Sequence, residues 1–201
     1  MKTVIFDIGY VLVHYDWDEY LHSLFSDEHT IAVVKDALYD HGVWNELDRG
    51  VWTEEQLKAG FVAPAPDYEK EILEAFDRAG EALTRRPYAA EWIQSLKDRG
   101  YQVLYLSNWS QHIFDRAGDN LSFLPLFDGG IFSCRVHMIK PDPAIYKLLC
   151  DTYNLDPAQC VFIDDSRKNV DAARAFGIPS VHFKDYKSAC RELEELLISL
   201  P

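Results

Sequence analysis

The chain has 201 residues, 48% of them hydrophobic, enough to bury a core as one main domain plus a modest insertion without a disulfide or structural metal. Its formal net charge of −13 repels phosphate backbones and anionic lipid, which argues against nucleic acid or a membrane surface as partner. No apolar run approaches the ~20 residues of a membrane span, and the four cysteines are scattered without a C-x-x-C pair, so a reducing cytoplasm is the expected compartment.

VIFDIGYVLV (Val4 to Val13) opens as a β-rich apolar run that breaks at Asp7 and Gly9, the pattern of a buried strand ending in a polar turn. The next strand is far along the chain: YQVLYLS (Tyr101 to Ser107) follows a helical segment from Pro87 to Arg99 that Gly100 terminates. From there the alternation is regular. GIFS (Gly130 to Ser133), CVFID (Cys160 to Asp164) and SVHF (Ser180 to Phe183) read as strands, with helices expected over Pro141 to Tyr153, Arg167 to Phe176 and Lys187 to Leu200. This order predicts an α/β fold, a Rossmann-like parallel sheet flanked by helices.

Residues 14–86 do not fit the alternation, because a crossover between parallel strands needs little more than one helix. They are expected to form an inserted small helical bundle, with helices over Trp17 to Phe25, Ile31 to Tyr39, a start at Thr53 marked by a capping box with Gln56, and Tyr68 to Leu83. The division is then a core of 1–13 and 87–201 and an insertion of 14–86. Cys134, Cys150, Cys160 and Cys190 are expected to be reduced, buried and inert.

In an open α/β sheet, ligands bind beyond the carboxyl ends of the strands, so the polar residues there carry the functional reading. They are Asp7, Ser107 with Asn108, Lys140 before its helix, and Asp164 with Asp165. The order FDIGYVL, LSN, IKPDPAIY and FIDDS resembles the four motifs of the haloacid dehalogenase-like superfamily and covers the whole core. The insertion directly after the first motif resembles that family's small helical cap (subfamily IA). The pattern is most similar to the branch containing α-D-glucose-1-phosphate phosphatases.

The resemblance implies a Mg²⁺-dependent phosphatase acting on a small phosphate ester, with sugar phosphates first in line, through an aspartyl-phosphate on Asp7. The residue types suit that chemistry. An ionised carboxylate attacks phosphorus without first losing a proton. Mg²⁺ prefers hard oxygen ligands, for which Asp7, the Gly9 carbonyl and Asp165 with help from Asp164 are the candidates. Lys140 with Mg²⁺ balances the three carboxylates, so a dianionic phosphate meets no net negative charge. Ser107, Asn108 and Lys140 would hold the phosphoryl oxygens.

One position departs from the family. Most phosphatases resembling this chain carry Asp-x-Asp in the first motif, the second Asp being the general acid/base, and here that position is Gly9. Such a group is typically worth ~10²–10⁴-fold. The sugar-phosphatase branch resembles this chain in having Gly there, and His14, Asp16 or a cap residue are candidates to replace the missing group. In LDRGVWTEEQ (Leu47 to Gln56), Arg49 and Trp52 are expected in a loop before the helix at Thr53, where related caps contact the leaving group. The alternatives are a haloacid dehalogenase, a phosphomutase, or a non-catalytic phosphate-binding module on the same fold. The sequence sets no oligomeric state.

Overall fold

The computed structural model describes residues 1–39 and 41–201. Strand β1 (Thr3–Phe6) leads through Asp7 to β2 (Val13–Tyr15), which pairs antiparallel with the much later β3 (Leu83–Arg85). Between β2 and β3 lie helices α1 (Trp17–Leu24), α2 (Glu28–Tyr39), α3 (Val43–Arg49), α4 (Glu54–Val62) and α5 (Glu69–Asp77). After β3 come α6 (Ala89–Asp98), β4 (Gln102–Ser107), α7 (Gln111–Arg116), β5 (Gly129–Phe132), α8 (Ser133–Val136) and α9 (Pro143–Tyr153). The chain ends with β6 (Cys160–Asp164), α10 (Arg167–Phe176), β7 (Ser180–His182) and α11 (Tyr186–Ser199). No helix among the described residues is long and apolar enough to cross a membrane.

Five strands form one parallel sheet in the order β5-β4-β1-β6-β7. Alternate side chains of a strand face opposite sides, and both sides are covered here. Val4 and Phe6 pack with Trp92, Ile93, Leu193 and Leu197 on one face, and Ile5 packs with Leu104, Phe162, Tyr146 and Leu149 on the other. That double burial explains why the strands read as continuous apolar runs. The helices between β2 and β3 carry a separate core built from Leu21, Val34, Leu38, Leu47, Phe61, Ile72 and Phe76.

Several local expectations are corrected. The segment Tyr68 to Leu83 is not one helix: α5 stops at Asp77 and a 3₁₀ turn runs from Ala79 to Ala82. Gly80 there lies so close to Arg116 that a Cβ would not fit. Helices α3 and α7 were not expected from the sequence, nor was the β2–β3 pair, whose strands of three residues are too short to show a period. Ser166, whose place ahead of α10 suggests a helix-capping serine, makes no side-chain cap; the Asp164 carboxylate accepts the Ser166 N–H instead, at 2.7 Å. Cys150 and Cys160 are buried, whereas Cys134 and Cys190 are partly exposed. The capping box at Thr53 and Gln56 is present as expected.

Candidate active site

Strand register brings the polar residues together. Phe6 lies opposite Tyr105 of β4 and Ile163 of β6, so Asp7, Ser107 and Asp164 leave neighbouring strands at the same edge. The order reverses at β1, with β4 on one side and β6 on the other, which opens the crevice in which such sheets bind ligands. Asp7 is anchored through its own N–H to the Ile163 carbonyl at 2.8 Å. Its Oδ1 accepts from the Ile8 N–H at 2.7 Å and from the Ser107 hydroxyl at 2.6 Å.

Lys140 arrives from the loop between α8 and α9, and its side chain is fully buried. Its ammonium lies 3.0 Å from Asp7 Oδ2 and 2.6 Å from Asp164 Oδ2. The loop is held by Asn108, whose Oδ1 accepts from the Lys140 N–H at 2.8 Å and whose Nδ2 donates to the Lys140 carbonyl at 3.0 Å. The Asn108 side chain therefore positions the lysine, and the residue also lines the cleft. Asp164, also buried, accepts from Lys140, Ser166 and Asn169. Asp165 is the more open of the adjacent pair and faces the cleft.

Oxygens of Asp7, Asp164 and Asp165 lie within 4.8 Å of one another. When ionised, three carboxylates face one ammonium, leaving excess negative charge in a dry setting. Burial pushes Asp7 up to about 8, opposed by Lys140 and reinforced by Asp164 and Asp165. Burial and Asp164 likewise push Asp165 up to about 6. Burial alone would lower Lys140, but Asp164 and Asp7 beside it hold it above the ordinary lysine range. All-oxygen donors with surplus negative charge suit a hard divalent cation, which would relieve the repulsion. Gly9 lines the same cleft, and its carbonyl accepts the Val11 N–H at 2.7 Å.

Above these groups lies a cleft of about 270 Å³, walled by Tyr10, Tyr15, Trp17, Tyr39, Trp44 and Trp109 and including Asp7, Gly9, Asp165 and Asp48. Tyr15 and Trp17 are stacked at 5.1 Å. Two buried polar atoms on this wall, Tyr39 Oη and Trp109 Nε1, have no hydrogen-bond partner among the described residues. Asp48 keeps part of its surface on the cleft, and burial pushes it up to about 7 against the pull of the Lys140 charge.

Four other sequence candidates lie outside the cleft lining. Asp16 spends its carboxylate on the Glu19 N–H as the cap of α1. His14 faces Arg86, whose Nη2 is 3.3 Å from its Nδ1. Arg49 ends α3 rather than sitting in a loop and pairs with Glu46. Trp52 is 40% exposed and packs over Gly60. Asp48 and the aromatic wall are the residues that sequence reasoning missed; the one available signal was the density of Tyr and Trp between residues 10 and 52.

The family described as haloacid dehalogenase-like hydrolase matches residues 1–177. The chain is 46% identical over 129 residues to Bifunctional epoxide hydrolase 2 of Rattus norvegicus, covering 62% of this chain and 23% of that protein. It spans about a fifth of the length of such epoxide hydrolases. Sesquiterpene phosphatase astK of Aspergillus oryzae is 26% identical over 200 residues, 98% of this chain and 96% of that one. A HAD-family enzyme from Bacteroides thetaiotaomicron, solved with magnesium and inorganic phosphate, superposes with a TM-score of 0.71 at 21% identity over 94% of this chain and 98% of its own. Since the family match runs over most of the sequence and the fold agrees with it, the chain belongs to the haloacid dehalogenase-like hydrolases.

Proposed function

We propose that this hydrolase is a Mg²⁺-dependent phosphatase that cleaves a small phosphate monoester through an aspartyl-phosphate on Asp7, with residues 14–86 as the cap over the site. The observation that carries the reading is the buried Asp7–Lys140–Asp164 constellation with Asp165 facing the same cleft. Asp7, the Gly9 carbonyl and Asp165, backed by Asp164, would hold Mg²⁺. When bound, the ion supplies a Lewis acid for the phosphoryl group and favours the ionised form of Asp7. Asp7 then attacks phosphorus, while Lys140 and Ser107 hold charge on the oxygens around it.

A sugar phosphate is the first substrate class, as in the α-D-glucose-1-phosphate phosphatase branch. Aromatic faces such as those of Tyr10, Tyr15, Trp17 and Trp44 pack against the C–H faces of sugar rings. The same apolar wall suits a prenyl-type leaving group, the class that the name of the Aspergillus relative points to. A panel of sugar phosphates, prenyl phosphates and p-nitrophenyl phosphate, assayed with Mg²⁺ and with EDTA, is expected to show Mg²⁺-dependent phosphate release. Chloride release from 2-chloropropionate without phosphate release would instead make the chain a dehalogenase. Transfer of phosphate between sugar positions would make it a mutase, and binding of phosphate without turnover a non-catalytic module.

The raised carboxylates give a second expected result. A carboxylate near 4 in the unfolded chain and near 6 (Asp165) or 8 (Asp7) in the folded one binds more protons when folded. Without metal, these two groups therefore take stability away as pH rises from about 4 to 8. Mg²⁺ favours the ionised forms, so its stabilising effect grows over the same window. At pH 8 and about 100 times its Kd, Mg²⁺ is expected to raise Tm by roughly 5–10 °C, and by less at pH 5.5. Equal shifts at both pH values, or none, in a thermal scan would count against a carboxylate metal site.

A further inference from the structure

In a phosphatase built on this site the leaving group has no proton donor in the first motif, and the backbone there does not explain why. Gly9 is not in a left-handed conformation, and a Cβ built on it would meet only Tyr15 Cε2, at 3.8 Å. Neither strain nor packing demands glycine at this position. The cleft nevertheless contains a further carboxylate, contributed by the helical insertion.

We propose, on the basis of the phosphatase reading, that Asp48 is the general acid/base of this enzyme, supplied from the cap in place of the residue absent at Gly9. Helix α3 presents Trp44 and Asp48, one turn apart, on the cleft face. The end of that helix is fastened to the core beside the nucleophile. The Ser133 hydroxyl donates to the Asp48 carbonyl at 2.6 Å and accepts the Trp109 N–H at 2.9 Å, which ties residue 48 to the segment that carries Ser107. His137 Nδ1 lies 3.1 Å from the next carbonyl, that of Arg49. Gly50 then closes α3 at φ +68°, so near Cys134 that a Cβ would come within 2.8 Å of its carbonyl oxygen. Any side chain at residue 50 would lift the helix end away from the core.

The charged and titratable groups that share the cleft with Asp48 are Asp7, Asp165, Tyr10, Tyr15 and Tyr39, with Lys140 beneath. Burial is the main influence on the Asp48 carboxyl and Lys140 opposes it, which together put it near neutrality, where one group can serve as acid and then as base. In the first step an Asp7 oxygen bonds to phosphorus, the bond from phosphorus to the leaving oxygen breaks, and Asp48 gives its proton to that oxygen. In the second step water bonds to phosphorus while Asp48 takes one of its protons, and the bond from phosphorus to Asp7 breaks. Phosphate and the alcohol leave, and both aspartates return to their starting forms.

The test is the dependence of kcat/KM on the leaving group, measured with Mg²⁺ over substituted phenyl phosphates from p-nitrophenyl phosphate to phenyl phosphate. Nitrophenolate departs with little help, whereas phenolate needs a proton. In Asp48→Asn, phenyl phosphate turnover is expected to fall by ~10²–10⁴-fold and p-nitrophenyl phosphate turnover by no more than about tenfold. The variant's slope against leaving-group basicity is thus far steeper than that of the wild type, and G9D in the Asp48→Asn background should flatten it again. Because the slope compares substrates within one preparation, a partly unfolded fraction does not change it. An Asp48→Asn slope equal to the wild-type slope, whatever the absolute rate, would overturn the assignment of Asp48 alone. Absence of Mg²⁺-dependent phosphate release from every ester, the aryl, sugar and prenyl phosphates alike, would overturn the phosphatase reading and Asp48 with it.

Discussion

Asp7→Asn is expected to lower kcat by about 10⁴–10⁶-fold, the scale on which loss of a nucleophile acts, in a protein that remains folded. Asparagine keeps the shape and keeps an oxygen to accept the Ile8 N–H and the Ser107 hydroxyl. It cannot become ionised, and its amide leaves no acyl-phosphate on reaction. The accompanying stability change separates chemistry from folding. Burial and two neighbouring carboxylates already hold Asp7 up to about 8, so the metal-free protein is penalised for its charge at pH 8. Removing that charge relieves the repulsion with Asp164 and Asp165 but sets an amide NH₂ against the Lys140 ammonium, so the diagnostic change is that the gain in Tm on adding Mg²⁺ at pH 8 shrinks. Turnover within tenfold of the wild type, by phosphate release on any substrate that the wild type accepts, would remove Asp7 from the mechanism.

Which residues could be read from the sequence depends on how each is positioned. Asp7, Ser107 and Asp164 interrupt or end apolar runs, and a doubly buried strand leaves its polar residue only at the edge where the chain emerges. Their convergence needs no more than strand register. Thr53 and Gln56 were legible because a capping box is a contact within four residues. Helix α3 was not, because it follows Gly42, which offers no side-chain cap, and runs for only seven residues.

Asp48 lay out of reach for a different reason. Nothing in LDRG marks Asp48 over Arg49; the distinction is made by the fold, in which Ser133, far along the chain, donates to the Asp48 carbonyl and Asp48 rather than Arg49 lines the cleft. Arg49 then points to Glu46 on its own helix. Asn108, which sequence alone aimed at a phosphoryl oxygen, has a further role that only the fold reveals: its side chain holds the backbone of Lys140. Both outcomes are tertiary: a residue type limits what a side chain can do, and the neighbour decides which of those things it does.

Lys140→Met should have the largest effect on stability of any single change at this site, about 3–5 kcal/mol at pH 7.5, together with loss of turnover. The methionine fills a similar volume, so the cost is electrostatic. The lysine is the sole cation that the structure sets against both Asp7 and Asp164 among the described residues, at 3.0 and 2.6 Å. Its ammonium is held above the ordinary lysine range by those two partners, so its contribution is fully present at neutral pH and would be lost only in strong alkali. Without it, the carboxylates bury unopposed charge and their affinity for protons rises further. Protonation at low pH relieves the repulsion, so the deficit should shrink between pH 7.5 and pH 5. Mg²⁺ should restore part of it at the higher pH, since the ion would face the same oxygens. Urea unfolding at the two pH values measures this directly. A loss under 1 kcal/mol that does not change with pH would mean that Lys140 is not the counter-charge on which the nucleophile depends.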